Sequence, residues 1–227
     1  MIEPLQLTTL FGLGFILGLK HALDADHVVA VSTIVSQTKN FRKSSLAGAI
    51  WGVGHTAALF LFGLAILVFK LTIPVKLALF FEFMAGVVLV VLGIDALRKI
   101  IKEKVHLHEH QHDESFHTHI HPHKESLSHN HIHKFFVVGM IHGLAGSAAL
   151  ILLVLTAVKS IFQGLLYILI FGFGSIVGMF IVSGIIALPF LLSAKFIKII
   201  NTAKISVGAT SIVLGLIIMY EIGLAMV

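Results

Sequence analysis

Two histidines and two carboxylates stand together in His21-Ala22-Leu23-Asp24-Ala25-Asp26-His27, inside an otherwise apolar run from Leu5 to about Val35. Imidazole nitrogen and carboxylate oxygen are together the donor set of a divalent transition metal. One charge at the centre of a membrane helix costs roughly 2.5 to 3.5 kcal/mol, so the cluster persists only where protein partners, water or a bound cation offset that cost. Two more histidines interrupt apolar runs: His55 follows Gly52-Val53-Gly54, and His142 follows Gly139. Alone, either reads equally well as a hydrogen-bonding helix contact. With His21 and His27 they make a donor set too rich in nitrogen for Mg²⁺ or Ca²⁺, and the lack of cysteine argues against Cu(I). The chemistry of these residues leaves Ni²⁺, Co²⁺ and Zn²⁺ open.

The elements that position these residues are membrane helices. Hydrophobic residues make up 57% of the 227 and charged ones 12%, and the mean hydropathy of +1.02 is far from that of a soluble domain. Six apolar runs, Leu5 to Val35, Ser44 to Phe69, Val75 to Ile101, Phe135 to Val158, Ile161 to Leu192 and Thr202 to Leu224, are bounded by lysine, arginine or proline. Continuous runs of this kind exclude a membrane β-barrel, whose strands alternate in polarity. The expected fold is therefore an all-α polytopic membrane protein of about six spans. The start Met1-Ile2-Glu3-Pro4 lacks a basic n-region, so a removable signal peptide is not expected. The absence of cysteine excludes disulfides and thiol relays.

The first run sets a geometric problem. On one regular helix His21, Asp24 and His27 fall within about 120° of arc while Asp26 points away. Either the span unwinds near the motif, as in discontinuous transporter helices, or Asp26 orients a histidine instead of binding metal. The length of the run, roughly 46 Å as a single helix against a hydrocarbon core of about 30 Å, favours a break.

Basic residues set the expected topology. Lys39, Arg42, Lys43, Arg98, Lys99, Lys102, Lys104, Lys124, Lys134, Lys195, Lys198 and Lys204 follow the first, third and fifth runs, against Lys70, Lys76 and Lys159 on the other side. The positive-inside rule places the first group in the cytoplasm and both termini outside. The net charge of +5 thus belongs to membrane loops, and no nucleic-acid partner is expected.

The two halves repeat at an offset of about 121 residues. Gly18-Leu19-Lys20-His21-Ala22-Leu23 falls on Gly139-Met140-Ile141-His142-Gly143-Leu144, Gly52 and Gly54 on Gly172 and Gly174, and Gly86 and Gly93 on Gly208 and Gly215. Three spans per unit is an odd number, so the second copy enters the membrane from the opposite side, the inverted-repeat architecture of secondary transporters with midplane sites. The expected organisation is a first three-helix repeat at 1–101, a linking loop at 102–134 and a second repeat at 135–227.

From His106 to His133, eleven of 28 residues are histidine: His106, His108, His110, His112, His117, His119, His121, His123, His129, His131 and His133. The expectation is a cytoplasmic loop of weak auxiliary metal affinity, suited to buffering or handing ions to a cytoplasmic metallochaperone, with a plain polar linker as the simpler reading. His108-Glu109-His110-Gln111-His112 formally matches the H-E-x-x-H zinc-protease pattern, a match nearly inevitable where every second residue is histidine.

His21-Ala22-Leu23-Asp24-Ala25-Asp26-His27 resembles the H-x4-D-H signature of the nickel/cobalt transporter family, and Gly54-His55-Thr56 resembles its second motif. His142-Gly143-Leu144-Ala145-Gly146-Ser147 resembles the shorter six-span branch of that family. Lys20 departs from the arginine usual in eight-span members. The resemblance implies movement of Ni²⁺, sometimes Co²⁺, across a plasma membrane, with His21, Asp26, His27 and His55 required and Asp24 also matching. The expected function is therefore metal-ion uptake through a midplane site of His21, Asp24, Asp26, His27, His55 and His142. The expected partners are the ion and the bilayer, with Ni²⁺ or Co²⁺ as cargo and no prosthetic group or enzyme activity. Efflux, a metal-dependent membrane hydrolase and a metal sensor are the alternatives.

Overall fold

A computed structural model describes residues 4–38, 40–105, 133–146, 160–193 and 196–226. Among them the regular structure is helical throughout: α1 (Pro4–His21), α2 (Ala25–Val35), α3 (Phe41–Phe69), α4 (Val75–Val105), α5 (133–146), α6 (Ile161–Leu192) and α7 (Ile197–Met226). Four of these, α3, α4, α6 and α7, are long and apolar enough to cross a membrane. The chain is a polytopic α-helical membrane protein.

Local chemistry accounts for the helix ends. The Asn40 side chain accepts the Lys43 backbone N–H at 3.2 Å to open α3, and Ser160 does the same for Gln163 to open α6. α3 closes on Lys70 in the left-handed conformation (φ 52°). α4 starts after Pro74, whose carbonyl accepts from Leu77 and Ala78. Several boundaries differ from the sequence expectation, α3 beginning at Phe41 instead of Ser44. α4 runs on to Val105, four residues past Ile101, and α7 begins at Ile197 instead of Thr202. The charges that bound an apolar run mark where the membrane ends, but a lysine or arginine does not end a helix.

Glycines set the packing, and their contacts fix the helix directions. α4 and α7 cross antiparallel, Gly86 against Gly215 and Gly93 against Gly208. α3 and α6 are also antiparallel, with Gly48 against Ser183, Gly52 against Ile176 and Thr56 against Gly172, where the Thr56 hydroxyl donates to the Gly172 carbonyl at 3.1 Å. α1 runs parallel to α6, Gly14 on Tyr167 and Gly18 on Phe171, and α5 runs parallel to α3, Gly139 on Trp51 and Gly143 on His55. These contacts come in pairs. Gly18 meets the Phe171 carbonyl as Gly139 meets that of Trp51, and Gly174 meets Phe15 as Gly54 meets Phe136.

A methyl group at Gly139 would run into the Trp51 carbonyl. Gly139→Ala is therefore expected to force α5 from α3 at a cost of about 1 to 3 kcal/mol, seen as a lower Tm in detergent. An unchanged Tm would mean that α5 does not rest on α3 at this point.

At one end of the bundle Lys134 of α5 pairs with Asp95 of α4 at 2.6 Å. Lys99 approaches the same carboxylate at 3.5 Å and donates to the Gln37 side chain at 2.5 Å, which ties the end of α2 to α4.

Candidate metal centre

α1 tightens before it ends. The Leu23 N–H donates to the Lys20 carbonyl at 2.8 Å and the Asp24 N–H to that of His21 at 3.1 Å, both one residue short of α-helical spacing. Asp24 is then extended (φ −61°, ψ 145°), and its carbonyl accepts the Val28 N–H at 2.9 Å as α2 begins. The first span is thus broken at residues 22–24, the first of the two solutions set by its sequence. On a continuous helix, residues six apart are separated by about 9 Å along the axis. Across the break, the His21 and His27 ring centroids are 4.5 Å apart.

His55 enters from the middle of the 29-residue α3. Its ring lies 5.0 Å from that of His21 and 5.2 Å from that of His27. The Nε2 atoms of His21 and His55 face each other at 3.2 Å. One nitrogen from each of the three histidines lies within 4.8 Å of the others. Two imidazole nitrogens bound to one ion at about 2.1 Å, at angles of 90° to 109°, are about 3.0 to 3.4 Å apart, and a trans pair about 4.2 Å. The His21–His55 separation already suits a shared ion, and His27, within 4.8 Å of both, must move inward to join them.

His27, His55 and His142 are 2%, 1% and 1% exposed. Nevertheless both ring nitrogens of His27, Nδ1 of His55 and Nε2 of His142 make no hydrogen bond among the described residues. Buried polar atoms are nearly always partnered, so these four nitrogens are open to a further partner, a water or a metal ion.

The carboxylates approach from behind the rings. Asp24 Oδ2 lies 2.7 Å from His21 Nδ1. Asp24 occupies the N-cap of α2 yet makes no cap hydrogen bond, because its side chain is turned to the imidazole. An Nδ1–H donated to Asp24 leaves the Nε2 lone pair of His21 directed at His55. Asp26 Oδ1 lies 3.0 Å from His27 Nδ1, within ion-pair range but without the alignment of an N–H···O hydrogen bond. Both side chains are partly exposed, 48% for Asp24 and 31% for Asp26.

His142 on α5 is adjacent to the trio but outside it. Its Nδ1 contacts the Val138 carbonyl at 3.2 Å, and its ring centroid is 5.6 Å from that of His27. Of the histidine-rich segment only His133 falls among the described residues, as the exposed first residue of α5. The other ten, from His106 to His131, lie outside them.

Trp51 and Phe171 belong to the site and are not singled out by the sequence reading. Trp51, one turn before His55, stacks on His27 at 5.3 Å and 27° and meets His142 edge-on at 5.3 Å. Phe171 lies 5.4 Å from His21. The i−4 spacing of Trp51 from His55, and the position of Phe171 at the repeat offset from Trp51, are the signals that point to them.

Comparison with known proteins agrees with this architecture. A family profile described as the cytochrome C biogenesis protein transmembrane region matches residues 27–217. A protein named urease accessory protein UreH, from Bacillus sp. (strain TB-90), is 42% identical over 238 aligned residues, which cover 98% of this chain and 95% of the relative. Among solved structures, none matches the chain. The chain belongs to the cytochrome c biogenesis transmembrane-region family of polytopic membrane proteins, and its end-to-end likeness places it with the urease accessory protein UreH.

Proposed function

We propose that the chain is a plasma-membrane transporter of divalent transition-metal ions, with Ni²⁺ as the main cargo and Co²⁺ the second, working as an importer. The observation that carries this reading is the convergence of His21, His27 and His55 from three helices, two of their nitrogens 3.2 Å apart. Nickel is favoured by the resemblance of the two histidine motifs to nickel/cobalt transporters and by a relative named for its service to urease. The chain acts on its ion by binding and releasing it, not as an enzyme.

In this reading His21, His27 and His55 hold the ion, and Asp24 and Asp26 orient the imidazoles and offset its charge. His142 serves as a further donor from the second half. The fold is six spans in two inverted three-helix repeats, 1–101 and 135–227, with α1 and α2 together forming the first. Support comes from the paired glycine contacts at an offset of 120 to 122 residues and from the helix directions they fix, since α1 and α6 run one way and α3 and α5 the other. The basic residues put both termini outside and the histidine-rich segment in the cytoplasm, where it would buffer ions or pass them to a metallochaperone.

The test is cellular nickel at trace external concentration in a transport-deficient bacterium, with His27→Ala as the matched control. Accumulation above the control is the expected result. Depletion below it would mean an exporter, and equal nickel would end the nickel reading. A second expectation concerns Asp24. Asp24→Asn keeps the shape of the His21 contact but loses its charge, so nickel affinity should fall about 10- to 100-fold while the protein stays folded. Titration of purified protein measures this, and native affinity would show that Asp24 acts only at the surface.

A further inference from the structure

Buried hydroxyls in this bundle are of two kinds. Those of Thr33 and Ser36 in α2 bond back to the carbonyls of Val29 and Thr33 at 2.8 and 2.9 Å, the usual habit of such side chains in a membrane helix. Ser211, between α4 and α7, donates to the Leu89 carbonyl at 2.7 Å. Ser183 and Ser175 of α6 and Ser45 of α3, 0%, 0% and 1% exposed, have no partner, and neither has the Trp51 indole nitrogen.

Ser175 sits where α6 meets Gly18 of α1, and the other three fall together. Ser183 and Trp51 line a narrow crevice between α2, α3 and α6, together with Gly48 and the apolar Val31, Ile34, Val35 and Ala47. The antiparallel register of α3 and α6 puts Ser183 beside Gly48 and Ser45 beside Gly184, one turn nearer the start of α3. The series therefore leads from the three-histidine centre at His55 toward the α2–α3 connection. The ten residues from His55 to Ser45 span about 15 Å, half the hydrocarbon core. Apolar side chains fill the core on both sides of His55, Val31, Ile34, Val35 and Ala47 on the crevice side and Leu59, Leu67, Tyr167, Ile168 and Phe171 on the other, but the orphaned hydroxyls of Ser183 and Ser45 lie on the crevice side.

We infer that the crevice between α2, α3 and α6, past Ser183 and Ser45, is the route by which a hydrated divalent cation passes between the histidine centre and the α2–α3 side of the membrane. The crevice is too narrow for water in this structure. The Ser183 hydroxyl and the Trp51 N–H in its wall, and Ser45 beyond them, gain partners when it widens and water enters. Gly48 is essential to the width, because a methyl group there would meet Ser183 Oγ. The inference rests on the metal-transport reading above and adds the path and the polar groups along it.

The natural absence of cysteine makes the test clean. Ser183→Cys, Ser45→Cys and, as a control, Ser211→Cys are made singly in the full chain and treated in membranes with a small cationic methanethiosulfonate, which reacts only with a hydrated thiolate. Cysteines at 183 and 45 should react at least about tenfold faster than the one at 211. In parallel, Ser183→Leu should retain nickel in detergent like the native protein while moving it across vesicle membranes at least about tenfold more slowly, since the added bulk fills the crevice. Reaction as slow as that of the control, or native transport by Ser183→Leu, would overturn the route. Failure of the metal reading looks different: the native protein would then hold no more nickel than His27→Ala, whatever the labelling rates.

Discussion

His55→Ala is expected to lower nickel affinity by at least about 100-fold, close to 2.7 kcal/mol, and to abolish transport at trace nickel. His55 is the only one of the three clustered histidines carried by a continuous long helix, and it is 1% exposed. Its Nε2 faces that of His21 at 3.2 Å, so its loss leaves two donors from the broken first span and none from across the site. His21→Ala and His27→Ala should each have effects of similar size. Loss of His142, outside the trio, should cost about tenfold or less. The contrast among the four is the informative part. Equal losses at all four positions would mean a four-histidine site, and a loss at His142 alone would move the centre onto α5. Thermal unfolding of each variant separates lost coordination from lost packing. Each truncation also leaves a cavity that lowers the Tm of metal-free protein, so affinity is compared among the variants that stay folded.

The break in the first span is legible because two facts about one stretch conflict: the run is too long for one span, and its ligands cannot share one face. Asp24, a residue type favoured at N-caps, marks where the second half-helix starts. The pairing of each carboxylate with a histidine is half legible. Sequence offers orientation as one role for Asp26 but does not assign Asp24 to Nδ1 of His21, because that depends on how sharply the chain turns over residues 22–24. The small-residue pairs at Gly48 and Gly52, Gly139 and Gly143, and Gly174 and Gly178 are visible as spacing, but spacing names no partner. That Gly139 rests on the Trp51 carbonyl and Gly174 on that of Phe15 is a property of the assembled bundle. Trp51 stays hidden for the same reason. A lone tryptophan in an apolar run reads as lipid-facing or core until a histidine from another helix is found stacked on it.

Trp51→Ala should be the most damaging single change away from the histidines. Trp51 is 1% exposed and lies between His27, on which it stacks, and His142, whose ring it meets at 90°. Truncation leaves a cavity and costs about 3 to 5 kcal/mol, measured as a large fall in Tm or as failure to accumulate in the membrane. Trp51→Phe separates two contributions that the alanine variant mixes. Phenylalanine keeps a flat face for His27 and removes the indole N–H, which is buried without a partner. Loss of an unsatisfied donor offsets part of the lost volume, so Trp51→Phe should be destabilised by about 1 to 2 kcal/mol less than volume alone implies. If the stack also holds His27 in place for metal, nickel affinity should stay near native in Trp51→Phe and fall about tenfold in whatever Trp51→Ala remains folded. Native affinity in the alanine variant would assign Trp51 to packing between α3 and α5 alone. Reduced affinity in both would make the indole itself, not a flat ring, the feature that the centre requires.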